Sequence, residues 1–312
     1  MTPARTALLV HNPTAGDRSV PRGALERALG DAGYATRSVS TAHDDLDAAF
    51  AGALSEPVDL VVVAGGDGTV AKAMTRLRGA APPLAILPLG TANNVARALG
   101  VAGPWRDLVS GLGGARPCAF RLGLLAEGSV ETPFVETVDV GALAAGLAAA
   151  AGSGLDGAAK LANGRARLAA AVRDGPPIRV ALGLDGAAAA AEEVLLAAVL
   201  NVGLSGPGLR LSAMPPGAGV LEVATLPAAD CRAFLAWLER GGDAPAPLTR
   251  RRARRVALVV EAGTALRVDD RVGRAGRAER LAIASCPSPL AVLAPACGGS
   301  VRAGSGATRR AP

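Results

Sequence analysis

The stretch VVVAGGDGTVAKAM (residues 61–74) runs from apolar residues into three glycines, one carboxylate and a threonine, and then into a segment of helical period. A short, continuously apolar run that ends at glycine reads as a strand buried on both faces. The turn that follows joins this strand to a helix. Gly65, Gly66 and Gly68 permit positive φ or close backbone approach there, and Thr69 can cap the helix. Unpaired N–H groups at such a helix start attract an anion, most naturally a phosphate. A bare carboxylate at Asp67 would repel that phosphate, whereas a bridging Mg2+ turns the repulsion into attraction. The structural alternative for Asp67 is a turn bond to nearby backbone.

The same unit recurs on either side. ALLVHN (residues 7–12), ATRSVST (35–41) and PLAILPLG (83–90) read as further strands, and the segments after them have helical period. VPRGALERALGDAG (20–33) is entered through Pro21 and stopped near Gly33. Strands alternating with helices predict a parallel sheet covered on both faces. The turn at NPTAG (12–16) and the Gly90–Thr91 step follow their strands as the GGDGT turn follows its own. Three such loops at the carboxyl ends of parallel strands line one crevice, where open α/β sheets bind ligands. Neither GxxxxGK[ST] nor a GxGxxG after the first strand is present, so an ordinary P-loop and a typical dinucleotide fingerprint are both excluded.

Beyond residue 121 the texture changes. PIRVALGL (177–184), EVLLAAVLNVG (193–203), VLEVATL (220–226), RVALVVEA (255–262) and LAVLAP (290–295) are strand-like runs between Gly and Pro turns. They predict a mainly antiparallel β-sandwich. The expected organisation is an α/β nucleotide-binding domain over residues 1–121, a β-rich domain over 122–295 and a flexible tail over 296–312. In a chain of 312 residues, 50% hydrophobic and 19% charged, each domain is long enough to bury a core of its own. Lys72 and Lys160 are the only lysines, so the net charge of +6 is carried by arginine and names no partner. RRRARR (250–255) offers charge to anionic phospholipid, but reads first as a solvated turn leading into a strand. Seven aromatic residues and no recognition motif argue against nucleic acid. Cys118, Cys231, Cys286 and Cys297 are far apart and read as reduced thiols. His11 reads as a strand-end histidine, and Phe234 with Trp237 as core. The apolar stretch 140–155 is too short and alanine-rich to cross a bilayer.

Gly65-Gly66-Asp67-Gly68-Thr69, followed by Pro88-Leu89-Gly90-Thr91-Ala92-Asn93-Asn94 and Ala96, resembles the catalytic domain of the diacylglycerol kinase and sphingosine kinase family, in particular its soluble bacterial lipid kinase branch. GGDGT alone is shared with NAD kinases and 6-phosphofructokinases; the PxGTxNxxA run is the more specific part. The resemblance implies a two-domain kinase that transfers a phosphoryl group from ATP to a lipid hydroxyl. It implies ATP binding by Asn12, Gly16, Thr41, Gly65, Gly66, Asp67, Gly68, Thr69, Gly90, Thr91 and Asn93. Asp67 and Glu222 would belong to a Mg2+ network. Asp67 and Asp269 would be the catalytic acids, Asp269 as base. It also implies a lipid substrate met at a membrane surface by a cytoplasmic, peripherally associated enzyme. Which lipid, and in what oligomeric state, stay open.

The second half departs from the family pattern. Where the family carries Asp-Gly-Glu, this chain has Asp269-Asp270-Arg271, and an arginine stays protonated. The acidic loop before the strand at 220–226 reads PPGAGVLEV, with alanine in place of an aspartate and Glu222 as the surviving acid. After GGDGT the usual Asn-Glu pair reads Ala71-Lys72. Loss of a general base costs roughly 10²–10⁴ in rate. Two readings follow: an active ATP-dependent lipid kinase, or a catalytically degenerate relative that binds nucleotide or lipid. An NAD kinase ranks below both.

Overall fold

The computed structural model describes residues 5–17, 19–42, 46–78, 82–150, 152–276 and 279–294; the expected tail at 296–312 lies outside them. The first segment alternates as its periodicity predicts: β1 (Arg5–His11), α1 (Arg22–Asp31), β2 (Tyr34–Ser40), α2 (Leu46–Ala53), β3 (Leu60–Gly65), α3 (Asp67–Arg76), β4 (Leu84–Pro88) and α4 (Asn94–Ala98). β2, β1, β3 and β4 lie side by side and parallel. Alternate residues of β3 face opposite cores. Val61 and Val63 join one cluster with Leu8, Val10 and Met74, and Leu60, Val62 and Ala64 join another with Leu9, Leu25 and Leu29. That two-sided burial is why the strand carries no polar residue.

Two strands complete this sheet, and one comes from the far end of the chain. Leu290–Leu293 pairs parallel with β4 and antiparallel with Pro117–Phe120. LAVLAP was expected among the later β strands, yet it returns to the first sheet. Its alternating buried residues Leu290 and Val292 fill the core beside Leu84 and Ile86.

The remaining strands among the described residues form two six-stranded antiparallel sheets and a short hairpin. The two sheets share one core, in which Val138, Val199 and Val223 of one meet Leu125, Val180 and Leu258 of the other. This is the expected sandwich. Sequence periodicity missed that EVLLAAVL divides at Leu195. Ala190–Val194 lies at the edge of one sheet, whereas Leu196–Leu200 lies inside the other. Leu196, Ala198 and Leu200 face away from the sandwich core toward Leu143, Leu168, Phe234 and Trp237 of three helices. Phe234 and Trp237 are thus core, with ring centroids 5.0 Å apart. Among the described residues no helix is long and apolar enough to cross a membrane.

RRRARR is a solvated turn only at Arg254, exposed between two strands. Arg250, Arg251 and Arg252 lie on the strand Thr249–Ala253, where Arg250 and Arg252 pair with Glu222 and Arg251 with Glu192. The expectation of reduced thiols holds at Cys231 and Cys286, whereas Cys118 is disulfide-bonded.

Candidate active site

The ladder of the parallel sheet continues past the strand ends and fixes where the loops begin. Asn12 N–H donates to Ala64 O, Thr41 N–H to His11 O, and Leu89 N–H to Gly65 O, at 2.9, 2.9 and 3.0 Å. Glycine then lets the loops touch. Gly16 has φ of +69°, and a Cβ there would stand 2.2 Å from Leu89 O. A Cβ on Gly90 would stand 2.5 Å from the Gly66 Cα. Polar side chains fasten the same junction. Asn12 Nδ2 donates to Thr69 Oγ1 at 3.2 Å, and Asn93, with φ of 49°, both accepts the Gly90 N–H at 2.9 Å and donates to Gly90 O at 2.6 Å.

These loops line a cleft of about 650 Å³. Asn12, Gly16, Thr41, Gly66, Asp67, Gly68, Thr69, Gly90 and Thr91 all line it. Gly65 and Asn93 do not line it; they shape the loops behind it. His11, next to the first loop, is buried with Nε2 2.9 Å from Val20 O, and burial lowers its pKa. Both lysines of the chain, Lys72 and Lys160, also line the cleft, in a sequence that otherwise uses arginine.

Asp67 opens α3, and its Oδ1 accepts the Val95 N–H at the start of α4, 3.1 Å away. The backbone bond anticipated as a local turn thus crosses to another helix. Its carboxylate is part-exposed to the cleft but set deep in the protein. Burial raises its pKa, opposed by the backbone amides of Val95, Asn94 and Asn93 and by Arg97.

Opposite this lip stands a group from the β-rich half. Asp269 lines the cleft, in a left-handed conformation with φ of 52°. Its Oδ2 accepts the Val135 N–H at 2.8 Å, and its Oδ1 accepts those of Glu136 and Thr137 at 2.8 and 3.2 Å. Arg267 braces the turn by donating to Asp269 O at 2.5 Å and by gripping Asp139 through two nitrogens at 2.6 and 3.2 Å. Burial works against the Arg267 charge, but Asp139, Glu136 and Asp269 together hold its pKa up, so it stays protonated. Asp270 lines the cleft with Oδ2 3.2 Å from where a Gly68 Cβ would stand, while Arg271 is exposed on the next strand.

Glu222 is not brought to this group. It is buried in the sheet, with Arg252 Nε 3.1 Å and Arg250 Nε 3.5 Å from its carboxylate, and it does not line the cleft. Its register opposite Arg252 on the neighbouring strand is the physical reason. Among the cleft residues that carried no assignment from the sequence are Glu136 and Asn94. Glu136, 6% exposed, faces Asp67 and Asp269, and Asn94, 2% exposed, donates through Nδ2 to Glu136 Oε2 at 3.2 Å. The signal for Glu136 was one of two acids, with Asp139, in the run FVETVDVG, where the strand Thr137–Gly141 begins just after it.

The cleft offers oxygen donors, from the carboxylates of Asp67 and Asp270 to the amide of Asn94. Mg2+ is commonly held by one or two carboxylates together with phosphate oxygens and water. Asp67 and Asp270 fit that pattern, although among the described residues no group of three or more His, Cys, Asp or Glu gathers at metal-ligand geometry.

Residues 6–120 match the model of the diacylglycerol kinase catalytic domain. Over these residues the chain is similar to that family. A diacylglycerol kinase of Bacillus subtilis is 38% identical over 112 residues, a match that spans 34% of this chain and 36% of that relative. Most of the relative's length therefore lies outside the match. The crystal structure of a diacylglycerol kinase from Bacillus anthracis shares the fold at a TM-score of 0.66 over 93% of this chain and 97% of that one, with 17% identity. An NAD kinase from Archaeoglobus fulgidus, solved in complex with ATP, shares the fold more loosely, at a TM-score of 0.54 over 92% and 93% of the two chains with 13% identity. The family is one of kinases.

Proposed function

We propose that the chain is an ATP-dependent lipid kinase that transfers the γ-phosphoryl group to a hydroxyl of a membrane lipid such as diacylglycerol. The observation that carries this reading is the junction of three strand-to-helix loops, fastened by Gly16, Gly66, Gly90, Asn12 and Asn93, around a carboxylate at Asp67. Such a lip offers backbone N–H groups and hydroxyls to a polyphosphate, and Lys72 and Lys160 add compact positive charge. Asn12, Gly16, Thr41, Gly66, Gly68, Thr69 and Thr91 are the proposed nucleotide contacts, with Gly65, Gly90 and Asn93 shaping the loops. Asp67 and Asp270 would hold Mg2+, which when bound neutralises charge on the phosphates. Phosphoryl transfer demands mainly positioning and electrostatic stabilisation, and the rigid loops of the first domain supply the first of these. Apolar Leu147, Leu161 and Val272 line the same cleft from the second half and would border the lipid. The enzyme would work in the cytoplasm, meeting its substrate at the membrane face.

A second reading, nucleotide or lipid binding without turnover, is favoured by one specific observation: both oxygens of Asp269 are already engaged by backbone. The deciding experiment is transfer of label from ATP to a panel of diacylglycerol, phosphatidylglycerol and sphingoid base, with and without Mg2+. Labelled lipid that disappears in Asp67→Ala supports the kinase. A folded protein that binds ATP and labels no lipid supports the binding relative.

A further inference from the structure

With Asp269 committed to the backbone and Arg271 unable to accept a proton, a kinase built on this cleft needs another group at the acceptor hydroxyl. Glu136 and Asn94 line the cleft together, from the second and the first half of the chain. Asn94 Nδ2 donates to Glu136 Oε2 at 3.2 Å and to Gly206 O at 3.0 Å. Two acceptors on that nitrogen fix the orientation of the amide. Its Oδ1 is therefore an acceptor, buried and without a partner. A buried acceptor left unpaired costs about 1–3 kcal/mol, and a hydroxyl arriving in the cleft would relieve it.

We propose that Glu136 and Asn94 form the acceptor-alcohol subsite, with Glu136 as the catalytic base in place of Asp269; this rests on the kinase reading above. As the lipid hydroxyl oxygen bonds to the γ-phosphorus, its proton passes to the Glu136 carboxylate. The bond from the γ-phosphorus to the β,γ-bridging oxygen breaks, and its electron pair leaves on ADP. Groups facing Glu136 are Asp67 from the first domain, Asp269 and Arg267 from the second, and the Asn94 amide. Burial and the two aspartates raise the Glu136 pKa well above its ordinary value.

The test measures kcat and KM for lipid on the full chain, beside ATP binding by calorimetry, for wild type, Glu136→Gln, Glu136→Asp and Asp269→Asn. Glu136→Gln is expected to lower kcat by about 10²–10⁴ while ATP affinity stays within twofold, and Glu136→Asp to recover part of the rate. Glu136→Gln turning over within threefold of wild type overturns the assignment and leaves the kinase reading standing. So does an Asp269→Asn variant that folds and binds ATP but loses all turnover while Glu136→Gln keeps it. If Glu136→Gln does not fold, Glu136→Asp decides: an unchanged kcat overturns the proposal. Wild type that transfers to no lipid overturns the kinase reading and this inference with it.

Discussion

The carboxylate of Asp269 accepts the backbone N–H of Glu136 at 2.8 Å. With the bonds to Val135 and Thr137, this contact sets the backbone from which the Glu136 side chain enters the cleft. Asp269 thus acts on the site through another residue. Asp269→Asn keeps one acceptor but turns an NH2 toward backbone donors, and the loss should lower stability by about 1–3 kcal/mol. Asparagine tolerates the left-handed conformation at this position, so a fall in melting temperature reports the hydrogen bonds and not backbone strain. An unchanged denaturant midpoint would contradict this account.

Gly16 tests the junction of the loops. Alanine there meets Leu89 O and a positive φ at once, a combination that should cost about 1–3 kcal/mol. ATP affinity should fall with stability, because the loops after β1 and β4 lose their contact. Gly33→Ala is the control: it has a positive φ of 89° with nothing within 4 Å of the added Cβ, so it should cost stability and spare ATP binding.

The Arg267–Asp139 pair is buried, at 5% and 0% exposure. Removing one partner leaves an uncompensated charge, so Arg267→Met should destabilise the fold by about 3–5 kcal/mol. Replacing both, as Arg267→Met with Asp139→Leu, should recover much of that stability in urea unfolding. The double variant should still lose the brace on Asp269 O, and if it binds lipid or nucleotide as wild type does, the brace has no functional part.

Glu136 also makes stability depend on pH. Its folded pKa lies well above the ordinary 4.5, so between the two values the folded state holds a proton that the unfolded state has released. Stability then falls as pH rises through that window, since raising the pH weakens whichever state binds more protons, here the folded one. Glu136→Gln should flatten this slope, gaining on wild type as pH rises above 4.5 and matching it most closely below. Parallel stability curves for the two proteins across that range would refute the assignment.

Much of this architecture was written in local pattern. The run LVVVAG is apolar throughout because both its faces are covered, and GGDGT follows because only small residues and a short polar cap fit a turn against a neighbouring loop. The loops that line the cleft were therefore legible, from Asn12 to Thr91. LAVLAP was legible as a strand but not as a member of the first sheet, because an apolar run of four to six residues does not state its partner.

The sequence by itself determined the order of elements, the parallel sheet, the sandwich and the loops that meet at Asp67. Tertiary structure alone decided which acids share the cleft. Asp269 and Glu222 were named by position along the chain, yet backbone N–H groups claim the first, and strand register turns the second toward Arg250 and Arg252. Glu136 is 69 residues from Asp67 by number and faces it across the cleft. Carboxylates interact through space, over a few ångströms and through low-dielectric surroundings, and that distance exists only once the two halves of the chain have packed.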